Sequence, residues 1–170
     1  MNSSQNHVKH QNIAAIKWLT FLMFMMFAMT TDAVGVIIPE VMKQFQLSMT
    51  AAGLMHYAPM IAIAFAGILL GFLADKFGRK LTIILGLGLF AVNSYLFLLG
   101  NTFAFFLGLM VISGIAIGVF KSAALALIGD ITKSTNDHTS TMNAVEGFFG
   151  VGAIIVPFVV TYLLKSDFYW

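Results

Sequence analysis

Four ionisable side chains, Asp32, His56, Lys121 and Glu146, stand inside long apolar stretches of this 170-residue chain. An ionisable group surrounded by hydrocarbon is costly, so each marks a place where a proton, an ion or a polar ligand is handled. Asp32 and His56 lie at similar depths from one side, about six residues or roughly 9 Å at helical rise. Coupled to each other, they would make a carboxylate–imidazole pair able to carry a proton. The plainer alternative puts Asp32 against water and His56 at headgroup level. Lys121 and Glu146 lie at matched depths from the opposite side, about 8–10 Å, and carry opposite charges. That match predicts an intramembrane ion pair acting as a gate or substrate clamp. The plainer alternative is that Lys121 snorkels to the headgroups. Among the other residues in the same stretches, Asn93, Ser94, Tyr95, Ser113, Ser122 and Asn143, with Tyr57 and Pro59, are candidates for lining a polyol-type binding site. Their plainer role is helix–helix hydrogen bonding, worth about 0.6 kcal/mol each.

The elements that position these groups follow from composition. The chain is 59% hydrophobic and 9% charged, too few charges to cover a water-facing surface, where about a quarter of residues are charged. Five stretches reach the roughly 20 apolar residues that a helical span needs: 18–38, 51–73, 81–99, 104–128 and 141–164. Barrel strands alternate over about ten residues. These runs are longer and do not alternate, so helices remain as the spanning structure that satisfies its own backbone. A signal peptide is a poor reading of the first run, because the apolar stretch continues past Asp32 through Val34–Ile38. The fold class is therefore an all-α membrane bundle: a polar N-terminal tail over 1–17, then transmembrane helices over 18–170. Short linkers, Pro39–Thr50, Ala74–Lys80, Gly100–Phe103 and Gly129–Ser140, impose an up-and-down order.

Lysines and arginines are unevenly shared between the two sides. Lys9, Lys17, Lys76, Arg79, Lys80 and Lys133 fall on the side of the N-terminus, and Lys43 and Lys165 on the other. The positive-inside rule then places the N-terminus in the cytoplasm. The expected location is the plasma (inner) membrane, with several passes across the bilayer.

One linker carries a motif. Gly71-Phe-Leu-Ala-Asp75-Lys76-Phe-Gly78-Arg79-Lys80 sits after the second span on the inferred cytoplasmic side. Gly71 permits close helix approach and Gly78 a tight turn with positive φ. Asp75 lies where it can accept from a helix N-terminus or pair with a cation. This segment resembles the G-x-L-A-D-[RK]-x-G-[RK]-[RK] signature of the major facilitator superfamily in type and place. The resemblance implies a latch between two halves of a transporter, carried by Asp75 and Arg79, with Asp130 joining the network. Lys76 and Lys80 belong to the same segment; the plainer role of Lys76, Arg79 and Lys80 is to fix topology. Asn143-Ala-Val-Glu-Gly147 through Pro157 looks loosely like the fifth helix of sugar-permease-type members, including the fucose-permease-like group. The fourth span departs from the family pattern: relatives often carry a basic residue higher in that helix, and here the only one is Lys121.

The resemblance implies twelve spans in two six-helix halves with the site between them. Five spans then form an incomplete N-terminal half, whose partners are the missing C-terminal half, the lipid bilayer and a small-molecule substrate. The terminal Asp167-Phe-Tyr-Trp170 cluster is of the kind found at a membrane interface. A net charge of +2 gives no case for nucleic acid. With no cysteine and no metal-ligand spacing among His7, His10, His56 and His138, neither a metal nor a cofactor is expected, and no constellation suggests an enzyme. The favoured function is secondary active transport of a small, sugar-like solute, coupled to protons. The alternatives are a drug or metabolite efflux antiporter of the same superfamily and a non-transporting accessory membrane protein.

Overall fold

The computed structural model describes residues 2–166, with side chains from Asn12 onward. The aromatic cluster at 167–170 lies outside the described residues. Six α-helices follow in order: α1 Asn2–Phe45, α2 Met49–Leu70, the short α3 Leu73–Lys76, α4 Arg79–Leu96, α5 Phe103–Ile131 and α6 Thr135–Lys165, with a 3₁₀ turn Phe97–Leu99 closing α4. No strand occurs among the described residues. Helices α1, α2, α4, α5 and α6 are each long and apolar enough to cross a membrane.

The helices overrun the boundaries expected from hydropathy, because polarity alone does not stop a helix. Helix α1 begins at Asn2, within the expected tail. It also runs through Pro39, Glu40 and Lys43, which were expected in a linker. It ends only where Gln46 turns to φ 52° and Leu47 N–H reaches the Met42 carbonyl at 3.0 Å, a left-handed C-terminal cap. Three side-chain oxygens start the next helices. Ser48 accepts from Ala51 N–H, Thr102 from Phe105 N–H and Ser134 from Asp137 N–H, at 3.2–3.3 Å. Each satisfies an orphan donor of the first turn. The Ser134 cap starts α6 inside the polar segment that was expected to be a loop.

Two seams bring backbones together. On α5, a Cβ added to Gly114 would lie 2.5 Å from the Pro59 carbonyl of α2, and one added to Gly118 would lie 2.7 Å from Ala66 Cβ. Small residues four apart thus let α5 press onto α2. Gly86 of α4 meets the α5 backbone at Phe120 N in the same way, at 2.9 Å. On the other side of the bundle, Gly152 of α6 sits against Met25 and Ala28 of α1. Between these pairs lies a core of rings: Phe27 is 4.7 Å from Phe120 and 4.9 Å from Phe90, and Phe24 is 5.6 Å from Phe120. The edge-on Phe27–Phe90 contact is a favoured aromatic geometry, and the two contacts of Phe120 are tilted. The outward faces carry Ile68, Leu98, Phe158, Tyr162 and other large apolar side chains, a surface suited to lipid.

Candidate functional site

The charged end of the bundle is built around a turn. Helix α2 stops at Leu70, α3 gives one turn, and Gly78 takes φ 84° before α4 begins. Gly78 therefore holds the left-handed conformation that its place in the motif predicts. Gly71 has a different reason from the expected one. Its nearest obstacle is the Gly67 carbonyl of its own chain, 2.6 Å from an added Cβ, and Ser122 Cβ of α5 stands farther off at 3.9 Å. Thr82, fully buried, straps the turn together, its hydroxyl 3.0 Å from both the Leu73 and Gly78 carbonyls.

On this frame Arg79 joins three elements. Its Nη1 donates to Asp75 Oδ1 at 2.5 Å, one turn back in the chain, and its Nε donates to Asp130 Oδ2 at 3.0 Å, at the end of α5. The planar guanidinium suits this, since its donors diverge in a fixed fork. Lys76 turns to the Phe77 ring, 5.5 Å from its centroid, and Lys80 is exposed. A second tie at this end was not anticipated from the sequence: Lys17 of α1 donates to Asp137 of α6 at 2.5 Å, while Asp137 also accepts from Lys133 N–H at 3.1 Å. Its only sequence signal was charge flanking the apolar runs, which does not pair helices.

The buried charges are arranged otherwise than expected. Lys121 does not form the predicted ion pair with Glu146. Its ammonium lies 4.5 Å from the Phe149 ring centroid and 5.6 Å from that of Phe24. Glu146 is exposed, as is Asn143 one turn before it. The reason is rotational. Thr141, Val145, Gly152 and Val156 form the buried stripe of α6, and Glu146 stands one residue, about 100°, off that stripe. Equal depth therefore did not bring the two charges into contact.

Asp32 and His56 are not joined either. Asp32 Oδ2 has a 3.4 Å contact from Thr31 Oγ1, and His56 sits edge-on to Tyr57 at 5.8 Å. No ion pair links the two among the described residues. Asn93, 1% exposed, is a helix clamp, its Nδ2 donating to the Leu109 carbonyl at 2.9 Å and to Ser113 Oγ at 2.7 Å.

A cavity of about 380 Å³ opens between α1, α2, α4 and α5, toward the end opposite Arg79. Methionines and large apolar residues form most of its wall, among them Met29, Met55, Met60, Met110, Ile63 and Phe90. Thr30, Thr31, His56, Ser94 and Ser113 supply its polar groups. Of the sequence candidates His56, Pro59, Ser94 and Ser113 line it; Asp32 and Asn93 stand beside it. The methionine wall was missed. Its signal was the chain's eleven methionines, which composition shows but does not place.

Comparison with known proteins fits this architecture. Among curated proteins, the chain is 28% identical over 135 residues to Multidrug resistance protein 1 of Bacillus subtilis (strain 168), covering 78% of this chain and 34% of that protein. It is 28% identical over 138 residues to Multidrug resistance protein 2 of the same strain, covering 79% and 34% respectively. It is 32% identical over 142 residues to Quinolone resistance protein NorA of Staphylococcus aureus (strain N315), covering 82% of this chain and 35% of that protein. The chain thus spans about a third of the length of these relatives. The sequence profile of the Major Facilitator Superfamily matches residues 20–170. A match over nearly all of the chain, laid on five helices built to cross a bilayer, means that this multi-pass membrane protein belongs to the major facilitator superfamily.

Proposed function

We propose that this chain forms part of the N-terminal half of a secondary transporter that exports amphiphilic aromatic compounds by alternating access. The cavity is the observation that carries the reading. A sugar needs a dense set of oriented donors and acceptors, because each hydroxyl taken from water must be paired again. The cavity offers four hydroxyls and one imidazole on a wall of methionine and phenylalanine. Flexible, polarisable methionine suits varied apolar ligands. The drug-resistance relatives support the same preference, so efflux replaces the sugar uptake favoured from sequence.

In this reading the charged end faces the cytoplasm of a plasma membrane. The Asp75–Arg79–Asp130 network then holds the half in shape where it meets the remainder of the transporter, and Asp32 and Glu146 are the carboxylates available to exchange protons for substrate. The test is expression of the intact protein in a bacterial host stripped of its own efflux pumps. Energised cells should lose preloaded ethidium several times faster than vector controls, and a protonophore should abolish the difference. Accumulation of labelled fucose, with ethidium retention equal to that of the vector, would overturn efflux in favour of uptake.

A further inference from the structure

The polar residues of the cavity do not all offer it the same atoms. A hydroxyl has one proton to donate and two lone pairs. Thr30 and Thr31 donate to the Phe27 carbonyl at 2.8 and 3.0 Å, and Ser94 donates to the Phe90 carbonyl at 2.8 Å. Each spends its proton on its own helix, a common habit of Ser and Thr inside helices. These three therefore turn lone pairs to the cavity. Ser113 is different. By the same habit its hydroxyl would donate to the Leu109 carbonyl, four residues back. One lone pair of that oxygen belongs to the helical ladder, and Asn93 Nδ2 takes the other at 2.9 Å. The second proton of the same amide goes to Ser113 Oγ at 2.7 Å. Turning the amide over would set its oxygen against the Leu109 carbonyl, acceptor against acceptor, so its sense is fixed. Ser113 thus accepts from within the protein, and no acceptor takes its proton among the described residues. Asn93 Oδ1 is itself buried without a partner. Two apolar side chains would hold α4 to α5 without leaving such an orphan.

We infer that Ser113 is a specificity-determining residue that donates its hydroxyl proton to an uncharged carbonyl oxygen on an aromatic ligand, and that Asn93 is the positioning residue that frees that proton. This narrows the class of compound that the efflux reading leaves open, and rests on that reading. Ser113 stands about 15 Å along α5 from Phe103 at helical rise, in a wall of methionine and phenylalanine where water competes poorly for a ketone. The imidazole of His56 donates or accepts as its tautomer dictates, so it answers either kind of ligand. A fixed preference for an acceptor falls on Ser113.

The test measures equilibrium binding to the purified intact protein in detergent, by scintillation proximity with tritiated compounds. The probes are aminofluorene and aminofluorenone, which carry the same rings and amine and differ by one ketone, and ethidium. Ser113→Ala should weaken aminofluorenone by about tenfold while aminofluorene stays within about twofold, the selective loss expected when a buried acceptor loses its donor. Ser113→Thr keeps the hydroxyl and should keep the wild-type ratio. Asn93→Leu leaves Ser113 in place but releases the Leu109 carbonyl, which then takes the hydroxyl proton, so the ratio should fall as it does in Ser113→Ala. A merely structural role for Asn93 would weaken both compounds alike. Equal losses for the two compounds in Ser113→Ala, or no loss for either, overturn the inference, and Ser113→Ala decides this even if Asn93→Leu does not fold. An unchanged ratio in a folded Asn93→Leu removes the positioning role. If neither fluorene compound binds the wild-type protein, the inference falls; binding of ethidium in the same preparation then leaves the efflux reading standing, and its absence takes both.

Discussion

The two arginine- and lysine-centred regions of the bundle use charge in opposite ways. At the charged end, Arg79 is paired twice, and its partners come from its own turn and from the end of α5. Deep in the helices, Lys121 has no carboxylate in contact and rests on two phenylalanines. The first arrangement spends the charge on holding elements together. The second keeps it unspent. Charge at a membrane boundary can be structural because water softens an imperfect geometry. Charge kept free in the interior is justified only if something else will meet it.

The largest effect that would sharpen this contrast is expected at Arg79. Arg79→Gln removes both ion pairs and leaves Asp75 and Asp130 facing each other without a cation. Ethidium efflux should slow by about tenfold, the scale of one conformational coupling. Arg79→Lys should recover only part of the rate, since an ammonium cannot reproduce the fork. Full activity in Arg79→Lys would show that topology, not the paired geometry, is what the residue supplies.

Next in size is the aromatic support of Lys121. Phe149→Leu should lower thermal stability in detergent by about 1 kcal/mol, from lost area and the lost cation–π contact. In a double-mutant cycle with Lys121→Met, part of that loss should vanish. Strict additivity would mean that the ring does not hold the ammonium. Smaller still is the coupling between Lys121 and Glu146. The same cycle run with Glu146→Gln should give under about 0.5 kcal/mol, the range of non-contacting pairs. A larger value would restore the ion pair that matched depth suggested. Smallest is the tie at the charged end: Lys17→Ala should move the melting temperature less than Phe149→Leu does, because a half-buried pair still reached by water contributes little.

What could be read from sequence divides along the same line. The Asp75–Arg79 pair and the turn at Gly78 are local, fixed by a four-residue spacing and one glycine, and both were legible. The five crossings were legible because apolar length is a one-dimensional property. Contacts between helices were not, since they depend on rotation as well as depth. Glu146 matches Lys121 in height but lies off the stripe of Thr141, Val145, Gly152 and Val156 that faces α1. That stripe is visible in the sequence as small and β-branched residues four or seven apart, and it could have corrected the pairing. Asp32 fails to reach His56 for a related reason, because Thr30, Thr31 and Ala33, not Asp32, line the cavity. Helix ends were misplaced where polar residues such as Glu40, Lys43 and Asn136 are acceptable inside a helix. Caps at Ser48, Thr102 and Ser134 decided the starts instead.

The glycine seams have a mechanical consequence. Backbone contact at Gly114, Gly118 and Gly86 fuses α2, α4 and α5 into one slab, and Gly152 with the Lys17–Asp137 tie fuses α1 and α6 into another. The gap between the slabs is filled by the rings of Phe24, Phe27, Phe90 and Phe120 rather than by close backbone contact. The cavity opens along that gap, with α1 on one bank and the larger slab on the other. Under the proposed efflux reading, a thicker or thinner guest would be accommodated as a book accommodates a bookmark, by a small change in the angle between its covers, while every side chain within each cover keeps its neighbours.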